Sequence, residues 1–307
     1  MRRRSSLSRW MWRWAIPILG IAAIATGIVV FLVVYQVTHP QNTAETLTPQ
    51  NFLIAYQEVI WPADDGTEIH GWFLAGIRGA PCIILVHGFS HNMSTVLQLA
   101  LLMRESGYNV LLYNLRAHGQ SPHSQSSLGL KETGDLLRAI DYVMTLLPVD
   151  RTRLGVWGVT AGAYAALRAS ENSDRIIAMA LDSVYPTVDD FLRLRTAETT
   201  GINNALFHVL VRWGFCLYVG VKPSELDATV DLGKILHIQT AFISEVASPE
   251  LGAMTRAMHQ NAQGRSEVVN FSKSRNSILL GMEIQNYDTQ LLGWFKQALP
   301  IQSGGRD

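Results

Sequence analysis

The sequence Arg153-Leu-Gly-Val-Trp157, followed directly by Gly158-Val159-Thr160-Ala161-Gly162, decides the fold of this chain. The first run is short and mostly apolar, as expected for a strand buried on both faces of a parallel sheet. The residues after the second run have helical character, so the two outer glycines lie in a sharp turn from strand to helix. Thr160 stands at the tip of that turn.

Two other predicted strands end in recognisable sequences. The buried run at 82–86 is followed by His87-Gly88-Phe89-Ser90. The buried run at 109–113 is followed by Asn114-Leu115-Arg116-Ala117-His118-Gly119-Gln120-Ser121. Because ligands bind at the carboxyl ends of strands in a parallel sheet, these two loops and the turn at Thr160 predict one common site.

The remaining pattern alternates strands with helices and predicts an α/β fold with a mainly parallel sheet. A stretch rich in large apolar residues at 183–234 interrupts this rhythm and predicts a helical insertion over the sheet. Further strands are predicted at 58–61, 69–74, 176–181, 240–244 and 267–271, the first two flanking the turn Asp64-Asp65-Gly66, and helices at 96–105, 136–147, 164–169 and 285–299.

Together and in this order, the three loops resemble the α/β-hydrolase fold family, over roughly residues 52–300. More narrowly, they resemble its branch of serine aminopeptidase-like hydrolases and membrane-anchored acyl hydrolases. The resemblance implies a central sheet with helices on both faces and a cap at about 183–234. It also implies acyl transfer, with a nucleophile at the position of Thr160 and an oxyanion hole formed by the backbone N–H groups of Phe89 and Ala161.

All three positions of the family's Ser-Asp-His triad differ in this chain. The turn reads G-x-T-x-G, so Thr160 replaces the serine. The acid pattern, like G-x-x-D-P, aligns with Ser244-Glu245-Val246-Ala247-Ser248-Pro249 and places Ala247 at the acid position. The histidine position falls on Asn276, and no histidine follows His259. Since an asparagine cannot take a proton near pH 7, the resemblance predicts a site without its general base.

Four other residues could substitute for the lost groups. Asp182 and Glu245 each end a predicted strand and could supply a carboxylate, although a carboxylate that begins a surface loop is the commoner explanation. His118 and His91 could supply a base from neighbouring loops, although histidines in such loop patterns usually shape the loop.

Three hypotheses fit these residues. The first is a hydrolase-fold protein that has lost serine-hydrolase chemistry and binds a small acyl or peptide ligand or a protein partner. The second is an active esterase, thioesterase or peptidase-like hydrolase with Thr160 as nucleophile, which requires a histidine nitrogen within hydrogen-bond reach of its hydroxyl. In the third, the insertion at 183–234 forms a membrane-proximal or partner-binding surface.

The N-terminus predicts a membrane anchor. Residues 1–14 contain five arginines and no acidic residue, and residues 15–35 contain no charge. This uncharged run is about 31 Å long as a helix, which matches the roughly 30 Å of a bilayer's hydrocarbon core. Three tryptophans precede it and Tyr35 ends it, where amphipathic rings favour the membrane interface. The alternative is a cleaved secretory signal, but residues 35–40 offer no A-x-A pattern.

Arginine clusters remain on the cytoplasmic side, so the large domain is expected outside the cell membrane in a single-pass protein. The predicted organisation is a basic cytoplasmic arm (1–14), a transmembrane helix (15–37), a linker (38–51), the hydrolase-like domain (52–300) and a tail (301–307).

The overall composition excludes several classes of protein. The chain has 307 residues with 25 basic and 25 acidic side chains, so it lacks the positive surplus of a nucleic-acid binder. Outside residues 1–14 it carries 20 basic against 25 acidic residues. Two cysteines cannot form a disulfide scaffold. The sequence shows no metal-ligand spacing and no dinucleotide or phosphate-binding motif, and it predicts no cofactor.

Overall fold

The computed structural model describes residues 6–40, 44–122, 125–246, 248–262, 266–271, 273–275 and 279–302. In those ranges the strands are β1 (Gln57–Pro62), β2 (Glu68–Leu74), β3 (Ala80–Val86), β4 (Asn109–Tyr113), β5 (Val149–Val159), β6 (Ile176–Asp182), β7 (Gln239–Glu245) and β8 (Ser266–Phe271). They form one sheet in the order β1-β2-β4-β3-β5-β6-β7-β8. β2 is antiparallel to β1 and β4, and all other neighbouring pairs are parallel.

Helices cover both faces of the sheet, as the resemblance implies. They are α1 (Ser6–Thr38), α2 (Leu97–Glu105), α3 (Leu130–Val143), α4 (Ala161–Ser170), α5 (Val188–Thr200), α6 (Ala205–Val219), α7 (Pro223–Leu226), α8 (Pro249–Asn261) and α9 (Met282–Ala298). Apolar side chains of α3, α4 and α8 form one core layer with the sheet, and those of α2 and α9 form the layer on the other face.

The helix predicted at 136–147 begins earlier and ends earlier than expected, at Leu130–Val143. Its start is set by Glu132, whose buried carboxylate accepts hydrogen bonds from the backbone N–H groups of Ser127 (3.0 Å) and Gly129 (2.9 Å). Gly129 is the N-cap residue, so the Glu132 carboxylate pairs an N–H group that a helix start otherwise leaves without a partner. The sequence analysis does not predict α8, which has Pro249 in its first turn, where a missing N–H costs little.

The interruption at 183–234 is a helical cap made of α5, α6 and α7, followed by a 3₁₀ turn at Leu232–Ile235. A third hydrophobic cluster lies beneath it and joins the cap to the C-terminal end of α1. The same cluster includes Phe89, in the loop that follows β3. The cap therefore sits over the carboxyl ends of the strands.

α1 extends beyond the predicted span at both ends, and its segment Trp14–Thr38 is long and apolar enough to cross a membrane. It is also attached to the domain, because the buried Thr38 accepts a hydrogen bond at its carbonyl from the N–H of Ser126 (2.8 Å). The predicted linker is partly fixed as well. The Glu45 carboxylate accepts a hydrogen bond from the Asn114 side chain at 2.6 Å.

Candidate functional site

The turn at Thr160 has the sharp geometry that the sequence predicts. Thr160 is fully buried and has φ 45° and ψ −108°, a left-handed conformation that costs a β-branched residue about 1–3 kcal/mol. A Cβ atom on Gly158 would lie 2.5 Å from the carbonyl oxygen of Gly162. A Cβ atom on Gly162 would lie 2.6 Å from the carbonyl oxygen of Val86. Both glycines are therefore required by close contacts between backbones.

The backbone N–H of Phe89 and the start of α4 at Ala161 lie next to Thr160. The N–H of Phe89 lies 3.4 Å from the Thr160 hydroxyl oxygen and donates a long hydrogen bond to it. Ala161 is the first residue of α4, where the N–H groups have no partner inside the helix and the helix dipole favours negative charge. These are the two residues that the resemblance assigns to the oxyanion hole, and the fold brings both to Thr160.

His118 and His87 hold the loops of the site together through both ring nitrogens. Nδ1 of His118 lies 2.8 Å from the carbonyl of Arg116, and its Nε2 accepts the N–H of Ser90 at 3.1 Å. His87 makes the same kind of pair, with the carbonyl of Gly88 (2.8 Å) and the N–H of Leu115 (3.1 Å). In each ring Nδ1 carries the proton and Nε2 is occupied as an acceptor.

Burial lowers the pKa of His118 to about 4 and lowers that of His87 well below its usual value. Both rings are therefore neutral near pH 7. Because its acceptor nitrogen is already occupied, His118 is a loop-shaping residue in this arrangement and not a base for Thr160.

His91 is placed differently, because it lines the same pocket as Thr160. Its Nδ1 lies 3.0 Å from the carbonyl of Phe89, which makes Nδ1 the protonated nitrogen. Burial lowers the pKa of His91, so its ring is neutral near pH 7. Of the two histidines proposed from the sequence, His91 is therefore the better candidate to accept a proton from Thr160.

Asp182 ends β6 and joins that strand to α9 and to the loop after β8. It is fully buried, and its carboxylate accepts hydrogen bonds from the Tyr287 hydroxyl (2.6 Å), the Arg275 N–H (3.1 Å) and the Ser183 hydroxyl (2.9 Å). Burial raises the pKa of Asp182 to about 6, although these hydrogen bonds and one with Ser274 act in the opposite direction. The carboxylate thus faces the loop after β8, where the resemblance places the histidine.

The other assigned positions lie partly beyond what the structure describes. Glu245 ends β7, is buried, and lines the pocket of Thr160. Ala247 and Asn276, at the acid and histidine positions, lie outside the described residues. Their assignments therefore stay predictions from the sequence.

A pocket of about 330 Å³ opens above Thr160. The loop after β3, the loop after β7 and the cap helix α5 all contribute to it. Its walls combine apolar side chains with charged ones. The lining residues are Phe89, Ser90, His91, Thr160, Phe191, Leu194, Arg195, Glu198, Glu245, Ser248 and Leu251. Such a mixture suits a ligand with a polar head and an apolar part.

Sequence reasoning missed the contacts that Asp182 makes with α9. The hydroxyl of Tyr287, which donates to Asp182, also accepts the indole N–H of Trp157 at 3.0 Å. Next to it, Arg275 forms a buried ion pair with Asp288. No local pattern marks these residues, because their partners are more than a hundred positions away or lie on a different element. Arg195 and Glu198 were likewise included in the predicted cap but not singled out.

Three features define the class of protein. They are the strand order, the strained turn at Thr160, and the loops after β3 and β4 that His87 and His118 join. The chain has the α/β-hydrolase fold. A profile described as alpha/beta hydrolase fold matches residues 81–204.

Two curated relatives are similar to part of this chain. The chain is 32% identical over 136 residues to YfhR, an uncharacterised protein of Salmonella typhimurium. This match covers 43% of this chain and 44% of YfhR. It is 27% identical over 186 residues to protein bem46 of Schizosaccharomyces pombe. This match covers 57% of this chain and 60% of bem46. The chain thus matches about half the length of these relatives.

Solved structures resemble it over most of the chain. An esterase of Pyrococcus furiosus has a TM-score of 0.63 at 20% identity, covering 85% of this chain and 98% of the esterase. An acetyl xylan esterase from Paenibacillus sp. R4 has a TM-score of 0.56 at 18% identity, covering 85% and 98%. At these identities the likeness shows the fold alone.

Proposed function

We propose that this protein is a membrane-anchored member of the α/β-hydrolase fold that binds a ligand at the pocket above Thr160 without serine-hydrolase turnover. α1 is its anchor, residues 1–14 face the cytoplasm, and the hydrolase-like domain lies on the other side. The five arginines before the apolar run support this orientation. The triad positions are Thr160, Ala247 and Asn276.

The hydrogen bonding of Thr160 carries this proposal. In the described part of the chain, the Thr160 hydroxyl accepts a hydrogen bond from the N–H of Phe89, and no histidine ring bonds to it. A threonine is a poor nucleophile without an adjacent base, because its hydroxyl stays protonated near pH 7. Removing one member of a triad already costs several orders of magnitude in rate.

The same geometry supports ligand binding. The N–H groups of Phe89 and Ala161 can donate to a carbonyl or carboxylate oxygen, which is how an oxyanion hole works without a nucleophile. The pocket leaves room for a small acyl group or a short peptide, with apolar contacts from Phe191 and Leu251. The favoured ligand is therefore a small molecule with an acyl or peptide carbonyl, and a protein segment of that chemistry is the alternative.

The test uses the full chain in detergent, with a fluorophosphonate probe and p-nitrophenyl butyrate. We expect no labelling, and hydrolysis at the same rate as the matched variant Thr160→Ala, because no base activates the hydroxyl. Hydrolysis by the wild type well above that of Thr160→Ala would contradict the proposal.

One observation favours an active hydrolase as the second candidate. His91 is neutral near pH 7 and lines the pocket of Thr160, so it is the available base for an unconventional pair. In that case His91→Gln and Thr160→Ala would each abolish the same hydrolysis. A variant at His118 would not discriminate, because that ring also holds the loop at Ser90.

A further inference from the structure

The cap helix α6 exposes an unusual amount of apolar surface. Leu206, Trp213 and Leu217 are 71%, 61% and 88% exposed, and Leu210 is also exposed. These residues recur at intervals of three or four, so they form one stripe along the whole helix. We call this stripe the outward face of α6 (Leu206, Leu210, Trp213 and Leu217). Contiguous apolar patches of this kind mark a membrane or protein contact.

The polar side chains of α6 point away from this stripe and are neutralised. Arg212 forms two hydrogen bonds with the carboxylate of Asp227, at 2.8 and 2.5 Å. His208 lies 3.0 Å from the carboxylate of Asp189, which also faces Arg212 at 3.4 Å. The outward face therefore presents no charge to its surroundings.

α6 packs directly on the apolar part of α1. A Cβ atom on Gly214 would lie 2.8 Å from Val30 and 3.3 Å from Val34, so the missing side chain lets the two helices approach closely. Beside this contact lies a mainly apolar groove of about 380 Å³. It is lined by Gly27, Val30, Phe31 and Val34 of α1 and by Gly214, Leu217 and Tyr218 of α6. Close packing through small residues is typical of helices that meet inside a membrane.

The position of this contact along α1 sets the depth of α6. Residues 27–34 belong to the uncharged run at 15–35. Gly27 lies eight residues before Tyr35, or about 12 Å along the helix. If Tyr35 marks the interface of the bilayer, the contact with α6 lies inside the adjacent leaflet.

We infer that α6 is a second membrane-embedded element, whose outward face contacts the acyl chains of the leaflet next to the hydrolase-like domain. This inference rests on the anchoring part of the proposed function and does not depend on whether catalysis is retained. The occupant is lipid because the outward face continues the surface of the membrane-spanning helix without a charge between them. A second copy of this chain is the competing occupant.

The inference also places the candidate site close to the bilayer. The hydrophobic cluster under the cap contains Val34 of α1 together with Phe89 and Phe191, which line the pocket. A ligand with an acyl chain would thus meet the pocket next to the leaflet in which such molecules dissolve.

Depth-dependent fluorescence quenching of the full chain in phosphatidylcholine vesicles tests this inference. Leu217→Cys carries an NBD label in a Cys216→Ala background, and the fully buried Cys82 stays in place. The vesicles contain phosphatidylcholine with a doxyl quencher at carbon 5 or carbon 12 of the chain. We expect loss of NBD emission at position 217, greater with the 5-doxyl lipid because α6 lies in the outer part of one leaflet.

Two matched positions in the same background separate the possible outcomes. Leu147 is 82% exposed on the side of the domain away from the cap, so an NBD label on Leu147→Cys should not be quenched. Ile24 is 66% exposed in the middle of the uncharged run, so an NBD label on Ile24→Cys should be quenched more by the 12-doxyl lipid than by the 5-doxyl lipid. Quenching at 24 without quenching at 217 would overturn this inference and leave the anchor intact.

No quenching at 24 or 217 would overturn both the inference and the proposed anchoring. Absence of quenching at 217, together with a dimer cross-linked through the unlabelled cysteine of Leu217→Cys, would assign the outward face to a second copy and also overturn the inference.

Discussion

The two halves of the candidate site are built in different ways. One half, the turn at Thr160 with the loop of Phe89, is made of backbone geometry: two glycines in close contact with other backbone atoms, a strained φ at Thr160, and the N–H of Phe89 bonded to the Thr160 hydroxyl. The other half, around Asp182 and the loop after β8, depends on side chains that must be of one chemical type. Backbone geometry follows from the fold, whereas acid–base chemistry requires particular residues. A chain can therefore keep the first half and lack the second.

The largest expected effect comes from restoring the catalytic side chains in both halves. We predict that the double variant Thr160→Ser with Asn276→His hydrolyses p-nitrophenyl butyrate about 10²-fold faster than the wild type, because a positioned general base contributes about that much or more. Asp182, already directed at the loop after β8, would act as the acid.

The single variants are the controls for this experiment. Neither Thr160→Ser nor Asn276→His alone should increase the rate, since the members of a triad act as a unit. Adding Asp182→Asn to the double variant should remove the gain. A double variant that folds but shows no gain would contradict the assignment of these triad positions.

The next largest effect concerns the backbone half. Gly162→Ala should lower the free energy of unfolding by about 3 kcal/mol, because its Cβ would meet the backbone oxygens of Val86 and His87 at 2.6 and 2.7 Å. The measurement is thermal unfolding of the full chain in detergent. Gly293→Ala in α9 is the matched control, since a Cβ there would meet no described atom within 4 Å apart from the nearby backbone of its own helix, and alanine favours a helix. Equal stability of the two variants would show that the turn is not held by these contacts.

The smallest effect concerns the hydrogen bonds of Asp182. Tyr287→Phe should lower the free energy of unfolding by about 1–2 kcal/mol at pH 8, since the buried Trp157 indole loses its acceptor and the Asp182 carboxylate loses a donor. Tyr56→Phe is the control, because that hydroxyl is at the surface with a long bond to Glu58.

The pH dependence of stability provides a second readout. The pKa of Asp182 is about 6 in the folded protein, against an ordinary value of 3.8, so between these values the folded state holds more protons than the unfolded one. Its contribution to stability therefore falls as pH rises from about 4 to about 6 and is constant above that window. Tyr287→Phe should cost less at pH 4 than at pH 8, because a protonated carboxyl depends less on that donor. A cost that does not change with pH would indicate that Tyr287 acts only through Trp157.

Much of the fold could be predicted because its signals are local. The buried strands and the turn at Thr160 are read from apolar runs and glycine spacing, and each lies in the structure at the predicted place. The start of α3 could not be predicted, because it depends on the Glu132 carboxylate folding back onto Ser127 and Gly129.

The roles of individual side chains at the site were less predictable. The sequence offers both His118 and His91 as possible bases. Only the packing of one loop against another shows that His118 has both nitrogens occupied and that His91 faces the pocket of Thr160. Asp182 could be named as a carboxylate at a strand end, but its partner Tyr287 comes from a helix 105 positions away.

The amino-acid sequence alone is sufficient to establish the alternation of strands and helices, the glycine-framed turn, the absence of a histidine after His259 and the apolar run at 15–35. These features depend on residue type and spacing along the chain. The tertiary structure decides the hydrogen bonding of Thr160, the raised pKa of Asp182 and the contact between α6 and α1. Each of these depends on burial and on partners distant in sequence, and burial and proximity exist only once the chain has folded.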